Sequence, residues 1–266
     1  MADTLVQQKF GAAAADYAAS AVHAKGPSLA RLVELVGPRP EWRVLDVATG
    51  AGHTAIAFAP LVAHVFASDV TNEMLAQAAK LAADKGLANV DTARADAGAL
   101  PFDDQSFDLV TCRLAAHHFP DPAAFVRESF RVLKPGGTFA LVDNVSPDAT
   151  MLPKATPAEL TEAVAVFNAY EKTRDPSHAR ALTLNEWLEL MRGTGFSAIS
   201  HELLDQHIAF GPWTSRMRCD AATVRRLEGM LGEEPLRTFL RPRLTEEGPT
   251  FTLQEAIIVV HKANRA

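Results

Sequence analysis

Asp46, Asp69 and Asp96 each fall at or just beyond the end of a short apolar run, and Gly50 and Gly52 follow the first of these runs. A carboxylate can accept hydrogen bonds from two neighbouring hydroxyls at once, which suits a ribose. Glycines let a backbone come close to a ligand, and a helix starting just after them offers unpaired N–H groups. Asp69 stands 19 residues after Gly50, about where a ribose-binding acid is expected in a strand–turn–helix cradle. Gly50-x-Gly52-x-x-Ala55 also fits the dinucleotide fingerprint. The same residues would also serve a tight turn without a ligand, each acid capping the helix that follows it.

A second chemical group is His117-His118. Histidine titrates near neutrality, so either ring is a candidate general base for removing a proton from a small molecule. Side chains at adjacent positions diverge, so at most one of the two is expected to face a substrate. The spacing is poor for a metal pair, which on a helix wants i, i+4, and no metal is expected. The alternative is a helix-start histidine bonded locally. Cys112 reads as a buried strand residue. His178, in Arg174-Asp175-Pro176-Ser177-His178, reads as part of a surface turn that could cap a pocket. Arg216, Arg218, Arg225, Arg226, Arg237, Arg241 and Arg243 read as mostly solvated, a few being able to receive an acidic group or a membrane surface.

The elements that must position these residues alternate. Strands are expected over Arg43–Val47, Val62–Ser68, Val90–Ala95, Phe107–Cys112 and Thr138–Asp143. Helices are expected over Thr54–Ala59, Asn72–Asp84 and Ala123–Leu133, with Lys134-Pro135-Gly136-Gly137 as a turn. Such alternation predicts a parallel sheet covered by helices on both faces, with ligands beyond the carboxyl ends of the strands. Before it lies an alanine-rich helical stretch, Phe10 to Val36, broken at Gly26-Pro27. After it come helices over Ala158–Lys172 and Asn185–Met191, an extended strand over Phe196–Phe210, a mostly helical arginine-rich stretch over Pro212–Leu240 and a last strand over Thr250–Lys262.

The 266 residues suffice for a sizeable core, and 48% are apolar, as in an ordinary globular chain. A formal charge of −6 argues against a nucleic-acid groove, which needs clustered Lys and Arg. Two cysteines imply no disulfide framework and suit a reducing cytoplasm. The start, Met1-Ala2-Asp3-Thr4, lacks the basic and apolar parts of a signal peptide, and no apolar run is long enough to span a bilayer.

Taken together, five ordered motifs resemble the class I S-adenosylmethionine-dependent methyltransferases, and within them the ubiquinone/menaquinone-biosynthesis subgroup. Val44-Leu45-Asp46-Val47-Ala48-Thr49-Gly50-Ala51-Gly52 is similar to their first motif, and Asp69 to their ribose acid. Asp96-Ala97-Gly98-Ala99-Leu100-Pro101-Phe102 with Ser106-Phe107-Asp108 resembles the adenine loop and fourth strand, and Arg131-Val132-Leu133-Lys134-Pro135-Gly136-Gly137 the turn into the fifth. Ala48 departs from the usual glycine. The resemblance implies an α/β fold: a Rossmann-like, seven-stranded, mostly parallel sheet whose last hairpin is antiparallel, with helical cap insertions. It implies one methyltransferase domain over 1–266. Within it, 1–40 would form N-terminal helices, 41–143 the cofactor core, 144–195 and 211–249 the cap, and 196–210 and 250–262 the hairpin strands.

By the same resemblance S-adenosylmethionine is the cofactor. Gly50 and Gly52, with Asp46, Ala48 and Thr49, would surround its methionyl part. Asp69 would hold the ribose hydroxyls, and Val70 or Met74 would flank adenine. Asp96 would accept from the adenine amino group and the Ala97 N–H would meet a ring nitrogen. Arg113 would line the same crevice, and Phe10 and Tyr17 are candidates to lie over the cofactor. The expected partner is a small organic methyl acceptor, methylated on carbon or oxygen, with no nucleic acid and no stable membrane insertion. The alternatives are a non-catalytic S-adenosylmethionine-binding protein and an NAD(P)-dependent oxidoreductase.

Overall fold

The computed structural model describes residues 4–18 and 26–264, the side chains of 12, 13 and 15–18 apart. Two N-terminal helices come first: α1 (Leu5–Ala18) and α2 (Pro27–Val36). The alternating segment follows as β1 (Arg43–Val47), α3 (His53–Phe58), β2 (His64–Asp69), α4 (Asn72–Asp84), β3 (Val90–Arg94), β4 (Phe107–Arg113), α5 (Pro122–Val132) and β5 (Leu133–Asn144). Beyond it lie α6 (Pro157–Arg174), α7 (Leu184–Thr194), β6 (Phe196–Ala209), α8 (Phe210–Arg216), α9 (Ala221–Leu231), α10 (Leu236–Leu240), β7 (Arg243–Thr245) and β8 (Gly248–Lys262).

The sheet runs β3-β2-β1-β4-β5-β8-β6, with β7 pairing off the path against β8. The first five strands are parallel, while β8 is antiparallel to β5 and β6 antiparallel to β8. This is the expected seven-strand path; the three-residue β7 is an addition the sequence did not announce. Strand order reverses between β1 and β4, so their carboxyl ends open a crevice.

Neighbouring residues in each central strand feed opposite faces, as a two-residue period requires. Leu45, Val110, Leu141 and Ile258 enter the core beneath α5 and α7, whereas Val44, Leu109, Val142 and Ile257 pack beneath α2 and α3. Both faces are therefore apolar, which explains the unbroken apolar runs in the sequence.

A third cluster holds the cap. Phe167 and Tyr170 of α6 meet Trp213, Leu227 and Phe239 from the late helices and Phe251 from β8. Helix α6 starts at a capping box, Thr156 with Glu159, and α7 at a second, Thr183 with Glu186. Between them the chain at Asp175–His178 is turned inward over the crevice rather than outward.

One segment differs from expectation, and the late stretch Pro212–Leu240 is mostly helical as expected. Lys134-Pro135-Gly136-Gly137 lies inside β5 as a bulge: between Phe107↔Leu133 and Leu109↔Thr138 one residue of β4 faces four of β5. Gly136 carries the bend at φ +77°. The stretch Pro212–Leu240 is three short helices, because Arg218 adopts φ +53° after α8 and Gly232 and Pro235 interrupt the chain before α10.

Candidate active site

A cavity of about 1170 Å³ lies at the carboxyl ends of the parallel strands. Its floor is the β1–α3 loop. Ala48 and Gly50 there have φ of +51° and +54°. The left-handed conformation costs alanine about 1–2 kcal/mol, more than the ~0.4–1 kcal/mol regained through its smaller unfolded-state freedom. Alanine at position 48 is therefore mildly strained, by on the order of 1 kcal/mol.

Asp46 does not reach the cavity. It is buried at 1% exposure, and its carboxylate accepts from Thr49 Oγ1 at 2.6 Å, Thr111 Oγ1 at 2.7 Å and the Ala55 N–H at 3.2 Å. It pins the loop to α3 and β4 instead of meeting a ligand. Burial pushes its pKa up to about 6, against the pull of those donors. Gly52 also lies outside the lining. It has φ +90°, and a Cβ there would sit 2.8 Å from the Ala78 Cβ of α4. Its task is close packing of the loop against that helix. Gly52→Ala should destabilise the fold by about 2–4 kcal/mol, from the left-handed conformation plus overpacking. A urea titration checks this, and an unshifted midpoint contradicts it.

Asp69 and Asp96 lie on the same side of the molecule and line one cavity. Asp69 Oδ2 accepts from the Gly50 N–H at 3.0 Å and Oδ1 from the Thr71 N–H at 2.9 Å, so both oxygens are aimed by backbone. Burial raises its pKa, opposed by those N–H groups. Asp96 is exposed to the cavity and accepts from the Gly98 N–H at 2.8 Å. Arg131 steadies the loop that follows, donating to the Leu100 carbonyl at 2.9 Å and the Phe102 carbonyl at 2.7 Å. Thr49, Val70, Met74 and Ala97 also line the cavity, as does Arg113, whose Nε donates to Thr54 Oγ1 at 3.2 Å. Helix α1 closes one side: Gln7 Nε2 donates to the Val70 carbonyl at 3.0 Å, and Phe10 meets the His118 ring edge-on at 4.9 Å. The Tyr17 side chain lies outside the described residues.

The two histidines part company. His118 lines the cavity and His117 does not. His117 is tied to Asp143 at the end of β5, its N–H donating to Oδ2 at 2.7 Å and its Nδ1 to Oδ1 at 2.6 Å. Burial would lower the His117 pKa, but the charge and hydrogen bond of Asp143 outweigh it and raise the pKa above the ordinary value. His118 Nδ1 donates to the Ser177 carbonyl at 3.1 Å, which leaves the lone pair of the neutral ring on Nε2. Asp175 Oδ2 is 3.9 Å from that nitrogen. Burial, then the neighbouring His117 charge, push the His118 pKa down to about 4. His178 is no surface residue: it is 3% exposed, lines the cavity and bonds Asn168 Oδ1 through Nε2 at 2.8 Å. Asp143, Asp175 and Ser177 are neighbours of the two histidines that sequence reasoning missed. Asp143 carried a signal, standing at a strand end in register with the other acids. Leu114, just past β4, holds φ +56° and turns the chain toward the histidines.

A family model described as "Methyltransferase domain" matches residues 45–141. The chain is 38% identical over 195 residues to the methyltransferase YcgJ of Bacillus subtilis, covering 73% of each chain. The crystal structure of YcgJ superposes with a TM-score of 0.80 at 33% identity, over 90% of this chain and 99% of that one. The chain is a class I S-adenosylmethionine-dependent methyltransferase. A putative methyltransferase from Bacillus halodurans C-125 matches as well, with a TM-score of 0.81 at 33% identity over 90% of this chain and 100% of its own. The ubiquinone/menaquinone biosynthesis C-methyltransferase UbiE of Teredinibacter turnerae is 39% identical over 127 residues, 46% of this chain and 51% of that protein.

Membership sets aside the nicotinamide reading of the glycine loop; the antiparallel β8 beside β5 agrees with it. S-adenosylmethionine is the cofactor of this methyltransferase, and the cavity suits it: paired carboxylates at one end, apolar Val70 and Met74 beside them, and a glycine loop below. Among the described residues no cluster of His, Cys, Asp and Glu could hold a metal ion, and no helix is long and apolar enough to cross a membrane. Cys112 is fully buried, and burial holds its thiol far above the ordinary range, so it is no nucleophile.

Proposed function

We propose that the methyltransferase moves a methyl group from S-adenosylmethionine to a carbon or oxygen atom of a small organic molecule, with His118 taking the acceptor's proton. The observation that carries this reading is one cavity lined both by Asp69 and Asp96 and by His118. Pockets of about 300–1,000 Å³ enclose a drug-sized ligand, so this volume suits the cofactor and a small acceptor together. The likeness to UbiE, whose name gives it as a C-methyltransferase, favours carbon.

When bound, the cofactor supplies an electrophilic methyl on a sulfonium. Asp69 accepts from the ribose hydroxyls, and Asp96 with the Ala97 N–H receives the adenine edge. Val70 and Met74 give the base an apolar bed. Gly50 and Thr49 leave room for the methionyl part, and Arg113 stands beside it. Phe10 and α1 exclude water from above. His118 then holds the released proton on Nε2, where Asp175 steadies the imidazolium. His117 serves the reaction by fixing this turn: bound to Asp143 on one side, its carbonyl accepts from the Ala179 and Arg180 N–H groups at 3.0 Å each on the other.

Calorimetric titration with S-adenosylmethionine and with S-adenosylhomocysteine tests the cofactor half. Release of S-adenosylhomocysteine across a broad acceptor screen tests the transfer. Tight binding without transfer to any acceptor would favour a non-catalytic binding protein instead.

A further inference from the structure

The acceptor end of the cavity has a feature that proton removal does not use. Lys172, in the last turn of α6, lines the cavity together with His118, Ser177 and His178. It is exposed, and among the described residues its ammonium has no hydrogen-bond or ion-pair partner. Its charge is felt at the His178 ring, one of the influences that lower that ring's pKa. The carboxylates nearby are either buried or paired. Glu171 and Asp175 are 4% exposed each, so neither reaches out to an exposed ammonium. Asp175 Oδ1 accepts from the Ser177 N–H and hydroxyl at 2.9 and 2.6 Å. Asp121, which also lines the cavity, stands 3.7 Å from Arg127.

Lys172 also borders a second hollow of about 540 Å³, lined by Arg226 of α9. Arg226 is exposed and likewise has no acidic partner among the described residues. Two uncompensated cations therefore follow one path from the acceptor end of the cavity toward α9, in a chain whose net charge is −6. Charge of one sign along a concave path concentrates ligands of the other sign. An ammonium without a partner at a pocket's edge is matched by a carboxylate or a phosphate.

We propose that the methyl acceptor is an organic anion, its carboxylate or phosphate paired with Lys172 while its reacting O–H or C–H lies beside His118. The inference rests on the methyl-transfer reading above. In the step, the acceptor's bond to hydrogen breaks and its electron pair takes the methyl carbon. The S–CH₃ pair returns to sulfur, and the proton passes to His118 Nε2 and then to water. Lys172 takes no part in bond making; it selects and orients.

The test uses S-adenosylmethionine carrying a deuterated methyl group, the full-length protein and a small-molecule extract of bacterial cells split on an anion exchanger at pH 8. Mass spectrometry should find the labelled product in the retained, acidic fraction. With the purified unmethylated acid from which that product forms, Lys172→Gln should raise KM about tenfold. Lys172→Arg should restore most of it, kcat should stay near that of the parent, and S-adenosylmethionine affinity should not move. The KM of the parent should climb with added salt, and that of Lys172→Gln should not. Label found only in the unretained fraction overturns the proposal and leaves methyl transfer standing, as does an unchanged KM in Lys172→Gln. Cofactor binding with no label transferred to any compound overturns the methyl-transfer reading and the anionic acceptor with it.

Discussion

Asp69→Ala is expected to weaken S-adenosylmethionine binding about hundredfold, the loss that follows when two hydroxyls give up a charged acceptor inside a cavity. The carboxylate is positioned for this by the Gly50 and Thr71 N–H groups, each of which leaves its oxygen a free lone pair. Part of the loss would come from the glycine loop, because Gly50 gives up its acceptor too. Asp69→Asn separates the two contributions. It keeps one oxygen for the loop, so it should melt near the parent temperature yet still bind at least tenfold more weakly. Calorimetry on both variants measures the effect. Parent-like affinity in Asp69→Ala would remove the ribose role and the orientation assigned to the cofactor.

His118→Gln is expected to lower kcat by about 10²–10⁴-fold, the usual contribution of a positioned base, with cofactor affinity unchanged. The parent's acid limb in kcat/KM should lie near pH 4, since a base must be unprotonated and burial with the His117 charge holds His118 at about 4. The sign of a second change follows. His117→Gln removes a positive neighbour, which stabilises the His118 imidazolium and raises its pKa. The acid limb should therefore move to higher pH, toward the ordinary histidine value. A limb that moves down, or stays, would show that the two rings do not share an electrostatic field. Both profiles are measured with the unmethylated acid whose labelled product identified it as the acceptor.

The cofactor half of this site was legible in the sequence because its residues are tied to local pattern. A run such as Val44–Val47 predicts a strand buried on both faces, and β1 is buried from Val44 onward. Parallel strands bring their carboxyl ends to one edge, so Gly50, Asp69 and Asp96 had to meet once the alternation was recognised. The antiparallel pairing of the last two long strands was foreseen by family resemblance and is observed.

Periodicity says which edge a residue reaches, not what it meets there. Asp46 had the type and place of a ligand, but Thr49, Ala55 and Thr111 close around it, and the last of these is 65 residues away. Gly52 looked like cofactor space and proved to be room for Ala78. The choice between His117 and His118 depends on partners far along the chain: Asp143 holds one ring and the Ser177 carbonyl the other, 26 and 59 residues distant. The place of Lys172 at the cavity follows from α6, whose Phe167 and Tyr170 pack on Trp213, Phe239 and Phe251. By itself the sequence determined the sheet, its crevice-bearing edge and the acids that line it, because strand period and βα rhythm are short-range. Only the tertiary structure decided which histidine lines the cavity and which charge stands at its edge, because those depend on packing between elements that no local pattern links.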